Sequence, residues 1–240
     1  MKSHTIVLTG YDAKMAPIGD LTSPLMLQYA NKHGFDFHCT RNLDADSAPY
    51  WQKIWDMTHL LKTSPAERII WLDADQVITN MDWTPPWQRG FHASMDWGTD
   101  ATTEEHFSAC GMVICSDMLP ILQRVVLCYE MFKDADFPEQ SALRHVRKNG
   151  PDYHTSWMKT HPRRTFNAVP VELCPTAPEP WQPGDFTCHL THHPVERRVQ
   201  MFHEIMMAQT IERNHAEQTP DDLLTTAPYS NEPSGFLPGE

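Results

Sequence analysis

A chain of 240 residues with a hydrophobic fraction of 40% can bury one sizeable core, which excludes global disorder and fits a single α/β enzyme domain. The formal net charge of −12 speaks against a nucleic-acid partner, because a phosphate backbone is met by a basic face. It leaves a nucleotide-sized ligand open, since one divalent cation and one or two basic side chains neutralise a diphosphate locally.

The first half alternates strand-like and helix-like segments, the pattern of an α/β sheet. Thr5 to Leu8 reads as the first strand, ending at a turn on Thr9-Gly10. Ser23-Pro24 predicts a helix start, Leu25, Leu27, Tyr29 and Ala30 continue it, and Gly34 is placed to cap its end. Residues 35–40 alternate like a strand, and Trp51, Ile54, Trp55, Met57, Leu60 and Leu61 recur at helical spacing. Arg68-Ile69-Ile70-Trp71-Leu72 is the nearly continuous apolar run of a strand buried on both faces. Residues 82–98 read as a loop, 111–115 as a strand, and 119–132 and 139–146 as helices. Beyond Gly150 a strand over 186–190 and a helix over 195–211 are predicted. Residues 1–217 are therefore taken as one domain, and 218–240 as an irregular or disordered tail.

No stretch approaches the roughly 18 apolar residues of a membrane span. With the first strand four residues from the start and no export signal before it, a cytoplasmic protein without a transmembrane segment is expected. The six cysteines at 39, 110, 115, 128, 174 and 188 are scattered through mostly apolar segments and read as reduced thiols.

The chemistry centres on Asp73-Ala74-Asp75, directly after the buried strand. Ligands of open α/β sheets gather at that edge. Two carboxylates so close repel each other unless something positive lies between them, and hard oxygen ligands suit Mn²⁺ or Mg²⁺.

The stretch RIIWLDADQVITN, residues 68–80, resembles the Asp-x-Asp segment of GT-A glycosyltransferases. Six further segments resemble glycosyltransferase family 34, a family of galactosyl-, mannosyl- and xylosyltransferases, in the right order. They are residues 29–35 (YANKHGF), 51–53 (WQK), 109–114 (ACGMVI), 139–143 (EQSAL), 165–170 (TFNAVP) and 183–189 (PGDFTCH). The glycogenin-like family shares several of these features and is the nearest confusable relative.

The resemblance implies a GT-A, Rossmann-like fold with one central mixed sheet flanked by helices. It implies Asp73, Asp75 and His189 as ligands of Mn²⁺ (or Mg²⁺), and Thr9, Gly10, Tyr11, Lys53 and Asp73 facing a UDP- or GDP-sugar. Glu139 or Gln140 would lie under the donor sugar, transfer would retain anomeric configuration, and the acceptor would be a hydroxyl of a glycan or glycoside. Two departures stand out. A histidine, His192, occupies the place where the family has a glycine, and Arg197 and Arg198 are the only nearby replacements for the basic residue that relatives direct at the leaving diphosphate; they read more readily as ordinary helix charges. Trp83, Trp87, Trp97, Trp157 and Trp181, in loop-like contexts, are candidates for an acceptor platform. The competing readings are another metal-dependent phosphoryl or nucleotidyl-transfer enzyme, which would want further ligands for a second metal, and a non-catalytic carbohydrate-binding protein on a degenerate transferase fold.

Overall fold

A computed structural model describes residues 4–41, 49–96, 106–151, 155–170 and 179–218, with side chains as far as Ile211. The chain divides into two units, Met1–Phe202 and His203–Glu240, and everything that follows concerns the first. Most of the tail expected over 218–240 lies outside the described residues, as do Cys174 and Trp97.

The strands in chain order are β1 (Thr5–Tyr11), β2 (Asp36–Arg41), β3 (Arg68–Leu72), β4 (Gln76–Ile78), β5 (Phe91–Met95), β6 (Phe107–Cys115), β7 (Met158–His161) and β8 (Thr187–His189). Six of them form one sheet in the order β2-β1-β3-β6-β5-β7, while β4 and β8 pair separately. β1 is parallel to both β2 and β3, β6 is antiparallel to β3 and β5, and β7 is parallel to β5, so the sheet is mixed. Every residue of β3 and β6 is buried, as the apolar run predicts for strands covered on both faces.

The helices are α1 (Ala16–His33), α2 (Pro49–Thr63), α3 (Leu119–Leu127), α4 (Tyr129–Phe132), α5 (Pro138–Asn149) and α6 (Val195–Gln218). The period-two alternation of the strands sends side chains to opposite faces. Ile6, Leu8, Ile69 and Trp71 pack with Trp51, Ile54 and Met57 of α2 and Ile121, Leu122 and Leu143 of α3 and α5. Val7, Ile70 and Leu72 pack with Met26, Tyr29 and Ala30 of α1 and with Phe166 and Phe186.

Several boundaries differ from the sequence expectation. β1 does not turn at Thr9-Gly10: it runs on to Tyr11, with Gly10 and Tyr11 paired to Thr40 and Arg41. α1 begins seven residues before Ser23, and Pro24 lies inside it on the exposed face, where the carbonyl deprived of its N–H partner meets water. Gly34 caps the helix as predicted, in the left-handed conformation at φ 67°. The segment 82–98 holds a strand, β5, whose partners come from both sides of it in sequence. The helix expected over 119–132 breaks at Cys128.

Where β5 and β7 pair, His92 Nδ1 and His161 Nε2 lie 3.0 Å apart, and the Trp87 ring stacks on both, with centroids 4.4 and 4.2 Å away. Burial lowers both imidazoles below their ordinary value, and for His161 burial together with neighbouring His92 brings it down to about 4. The folded protein thus keeps these rings neutral at pH values where the unfolded chain takes up protons. Stability from this pair is complete above the ordinary histidine value of about 6.5 and is lost as the pH falls toward 4. Circular-dichroism melts from pH 7.5 to 4.5 should show a falling midpoint in the wild type and a shallower fall in His161→Gln; parallel curves would refute this.

Candidate metal centre and donor cleft

β3 delivers the first carboxylate. The Asp73 N–H donates to the Cys110 carbonyl (2.9 Å) and to Gln76 Oε1 (3.2 Å), which fixes the bend after Leu72. Asp73 Oδ1 accepts from Trp71 Nε1 (2.7 Å) and Lys53 Nζ (2.9 Å), leaving Oδ2 for a ligand. From α1, Thr22 Oγ1 donates to the Ala74 carbonyl at 2.6 Å and pins the middle of the motif.

β4 carries the chain away from Asp75 and pairs antiparallel with β8, Gln76 opposite His189, and the Leu190 N–H donates to the Asp75 carbonyl (2.9 Å). This short ladder brings together residues 114 positions apart in sequence. His189 Nε2 lies 3.3 Å from Asp75 Oδ1. Its Nδ1 donates to Asn167 Oδ1 (2.8 Å), and Asn167 Nδ2 donates to the Met95 carbonyl (3.2 Å), which sets the amide and therefore the tautomer. Gln76 braces the same wall by donating to the Phe166 carbonyl. Phe166 lies against the bare backbone of Gly111, where a Cβ would stand 2.7 Å from the Phe166 Cβ.

One ligand atom from each of Asp73, Asp75 and His189 lies within 4.8 Å of the others, the only such group among the described residues. Two oxygens bound to one ion at about 2.1 Å stand at most about 4.2 Å apart, so a small closure suffices. Two hard carboxylates and an oriented imidazole fit a divalent cation. Burial would raise the Asp75 carboxyl, but His189 and the Arg198 guanidinium (Nη1 to Oδ2, 2.7 Å) bring it down to about 2. Burial opposes charge on His189, yet Cys110 and Asp75 hold it well above the ordinary histidine value.

These groups open into a cleft of about 880 Å³. Gly10 and Tyr11 line it; Thr9 does not. Expected beside the nucleotide, Thr9 is instead fully buried, because β1 continues past it. Tyr11 is buried too: its ring lies against Gly19, where a Cβ would come within 2.5 Å, and its hydroxyl donates to Asp20 (2.7 Å). Lys53 is not a solvated helix lysine. It is 4% exposed, and Nζ reaches Asp73, Glu139 (3.1 Å) and the Ala109 carbonyl (3.1 Å). Burial lowers its affinity for a proton, but the two carboxylates more than offset this and hold it above the usual lysine range.

Glu139 and Gln140, on the first turn of α5, both line the cleft. Gln140 is clamped: Oε1 accepts from the Ala109 N–H (2.8 Å), and Nε2 donates to Asp96 Oδ2 (3.1 Å), itself bonded to Arg144 (2.7 Å). Glu139 Oε2 is buried with no partner, an acceptor left for a ligand. His192 holds φ 62° and lines the cleft, so the turn keeps the left-handed conformation a glycine would take. Arg198, expected to be an ordinary helix charge, belongs to the site. The tryptophan platform is not found there. Trp83 and Trp87 pack into the core, Trp181 bonds Thr79, and Trp157 lies under Arg89; the exposed rings in the cleft are Tyr50 and Phe137.

The fold defines the class. The chain is similar to the crystal structure of a glycosyltransferase involved in the glycosylation of the major capsid of PBCV-1, with a TM-score of 0.64 over 84% of this chain and 99% of that one, at 17% identity. It is also similar to the galactosyltransferase LgtC, solved in complex with donor and acceptor sugar analogs, with a TM-score of 0.56 over 85% and 95% of the two chains, at 12% identity. The architecture is thus the GT-A glycosyltransferase fold. Residues 4–84 match the profile of the galactosyl transferase GMA12/MNN10 family, so this third of the chain carries the signature of glycosyltransferase family 34. Over 96 residues it is 33% identical to "Probable glycosyltransferase 5" of Oryza sativa subsp. indica, covering 37% of this chain and 21% of that protein. Over 65 residues it is 35% identical to "Probable glycosyltransferase 4" of the same plant, covering 26% and 14%. The chain thus spans about a fifth or less of the length of these relatives.

Removing Lys53 leaves Asp73 and Glu139 buried without their shared cation. Lys53→Met should destabilise the protein by ~3–5 kcal/mol in urea denaturation. Adding Glu139→Gln should recover part of the loss, and equal stability of single and double variants would refute the shared-cation account.

Proposed function

We propose that this protein is a metal-dependent glycosyltransferase that moves a hexose or pentose from a nucleotide-diphosphate sugar to a hydroxyl of a carbohydrate or glycoside, with retention of anomeric configuration. One observation carries the reading: the Asp73–Asp75–His189 cluster shares a cleft with Glu139 Oε2, a buried acceptor that nothing in the protein satisfies. A diphosphate held at the first and a sugar hydroxyl donating to the second would span the cleft as a nucleotide sugar does.

Asp73, Asp75 and His189 would hold Mn²⁺ or Mg²⁺, whose Lewis acidity stabilises the leaving diphosphate. Gly10 and Tyr11 border the nucleotide end, with Thr9 supporting them from inside the sheet. Lys53 keeps Asp73 and Glu139 ionised and fixed rather than touching the donor itself. Glu139 orients a donor hydroxyl, and the clamped Gln140 presents its amide beneath the sugar, where positive charge develops as the glycosyl bond breaks. The acceptor hydroxyl enters on the face the diphosphate leaves. Tyr50 and Phe137, 53% and 56% exposed in the cleft, offer apolar faces to an acceptor sugar. No described helix is long and apolar enough to cross a membrane, and free thiols at 39, 110, 115, 128 and 188 suit the cytoplasm.

Incubation with UDP-galactose, UDP-xylose, UDP-glucose or GDP-mannose and Mn²⁺ should give slow, metal-dependent hydrolysis of one donor. Asp75→Ala should reduce that rate by ~100-fold or more, the scale of losing one charge-stabilising contact. Turnover that is indifferent to the metal, or unchanged in the variant, would defeat the proposal; metal-dependent nucleotide binding with no turnover of any donor would mark a binding protein instead.

A further inference from the structure

Arg198 sits on the first turn of α6 and reaches back into the cleft. Its Nε donates to the His193 carbonyl (2.7 Å), and its Nη1 donates to Asp75 Oδ2 (2.7 Å) with Met15 Sδ at 3.6 Å. The side chain is 17% exposed, and Asp75 beneath it 8%. Both Asp75 oxygens therefore face a basic partner, Oδ1 toward His189 and Oδ2 toward Arg198. The other nearby cation, Lys53, is committed to Asp73 and Glu139. Arg198 is thus the counter-ion of the second carboxylate.

A divalent ion drawn to Asp75 meets this guanidinium twice over. The two compete for the same carboxylate, and as like charges they repel. A diphosphate arriving with the ion changes the balance, because its oxygens offer the planar guanidinium a bidentate partner inside the cleft Arg198 already lines. We propose that Arg198 holds Asp75 in place of a divalent cation and passes to the diphosphate when the cation arrives, so that metal and nucleoside diphosphate bind with strong positive coupling. The inference rests on the metal centre proposed above. It adds to that reading an order of events: each ligand alone meets a site partly closed against it, and each opens the site to the other, reciprocally.

The test is Mn²⁺ binding followed by the electron paramagnetic resonance signal of the free ion, with and without saturating UDP or GDP. Wild type should bind Mn²⁺ weakly alone and ~10-fold or more tighter with one of the nucleotides, within the usual range of coupling between sites. Arg198→Gln should bind Mn²⁺ alone several-fold more tightly than wild type, while the nucleotide enhancement falls toward unity. Arg197→Gln, which removes a charge from the same turn but not from the cleft lining, should behave as wild type. Arg198→Lys keeps a charge beside Asp75 and serves if the glutamine variant fails to fold; it should leave Mn²⁺ binding weak but reduce the coupling, since an ammonium lacks the bidentate fork. Wild-type binding with no tightening in Arg198→Gln, or undiminished coupling in Arg198→Lys, overturns the role of Arg198 alone. No Mn²⁺ binding by any variant, with or without nucleotide, overturns the metal centre and this proposal with it.

Discussion

Three carboxylates crowd one edge of this sheet, and their mutual repulsion is the constraint that the site must answer. Asp73, Asp75 and Glu139 line a single cleft, two of them almost wholly buried. Buried like charges are tolerable only when cations or donors are held among them. Lys53 from α2 serves Asp73 and Glu139, whereas Arg198 from α6 and the imidazole from β8 serve Asp75. The edge is therefore compensated by groups from three elements distant in sequence, and the fold around it can be understood as the means of delivering them.

That delivery depends on short pieces of structure. β4 and β8 have three residues each, too few to be stable alone, yet their pairing sets the Asp75–His189 register. Gln76 and Asn167, both buried, tie the wall carrying the histidine to the bend carrying the aspartates and to the end of β5. The ligands are oriented by amides whose own hydrogen bonds are spent on backbone, so the imidazole and the carboxylates keep their positions whether or not anything lies between them.

The sheet and the aspartate pair are legible in the sequence because they rest on local signals: an unbroken apolar run, then two acids where the run ends. Gly34 is legible because only its backbone freedom suits the end of α1. β4, β5 and β7 are not, since each is short and stabilised by partners far along the chain. The misplacement of Thr9 has the same origin: pairing with β2 carries β1 two residues beyond where its own residues suggest a turn. Arg198 is one charge among several on a helix, and only the fold reveals that it faces an acid 123 positions away. Trp83 and Trp87 fail as a sugar platform because the long-range packing of β5, Phe166 and Phe186 encloses them.

Gly111 lies opposite Leu72 in the β3–β6 ladder, one residue from the aspartate bend. Its missing side chain is the space into which Phe166 presses, with the Gln76 amide 3.0 Å from where a Cβ would stand. Asn167 follows Phe166 directly, and it aims the ligand imidazole. The depth of the cation's seat is thereby gauged by an absence in the middle of the sheet: one methyl group there would push the far wall outward, and the histidine would withdraw with it.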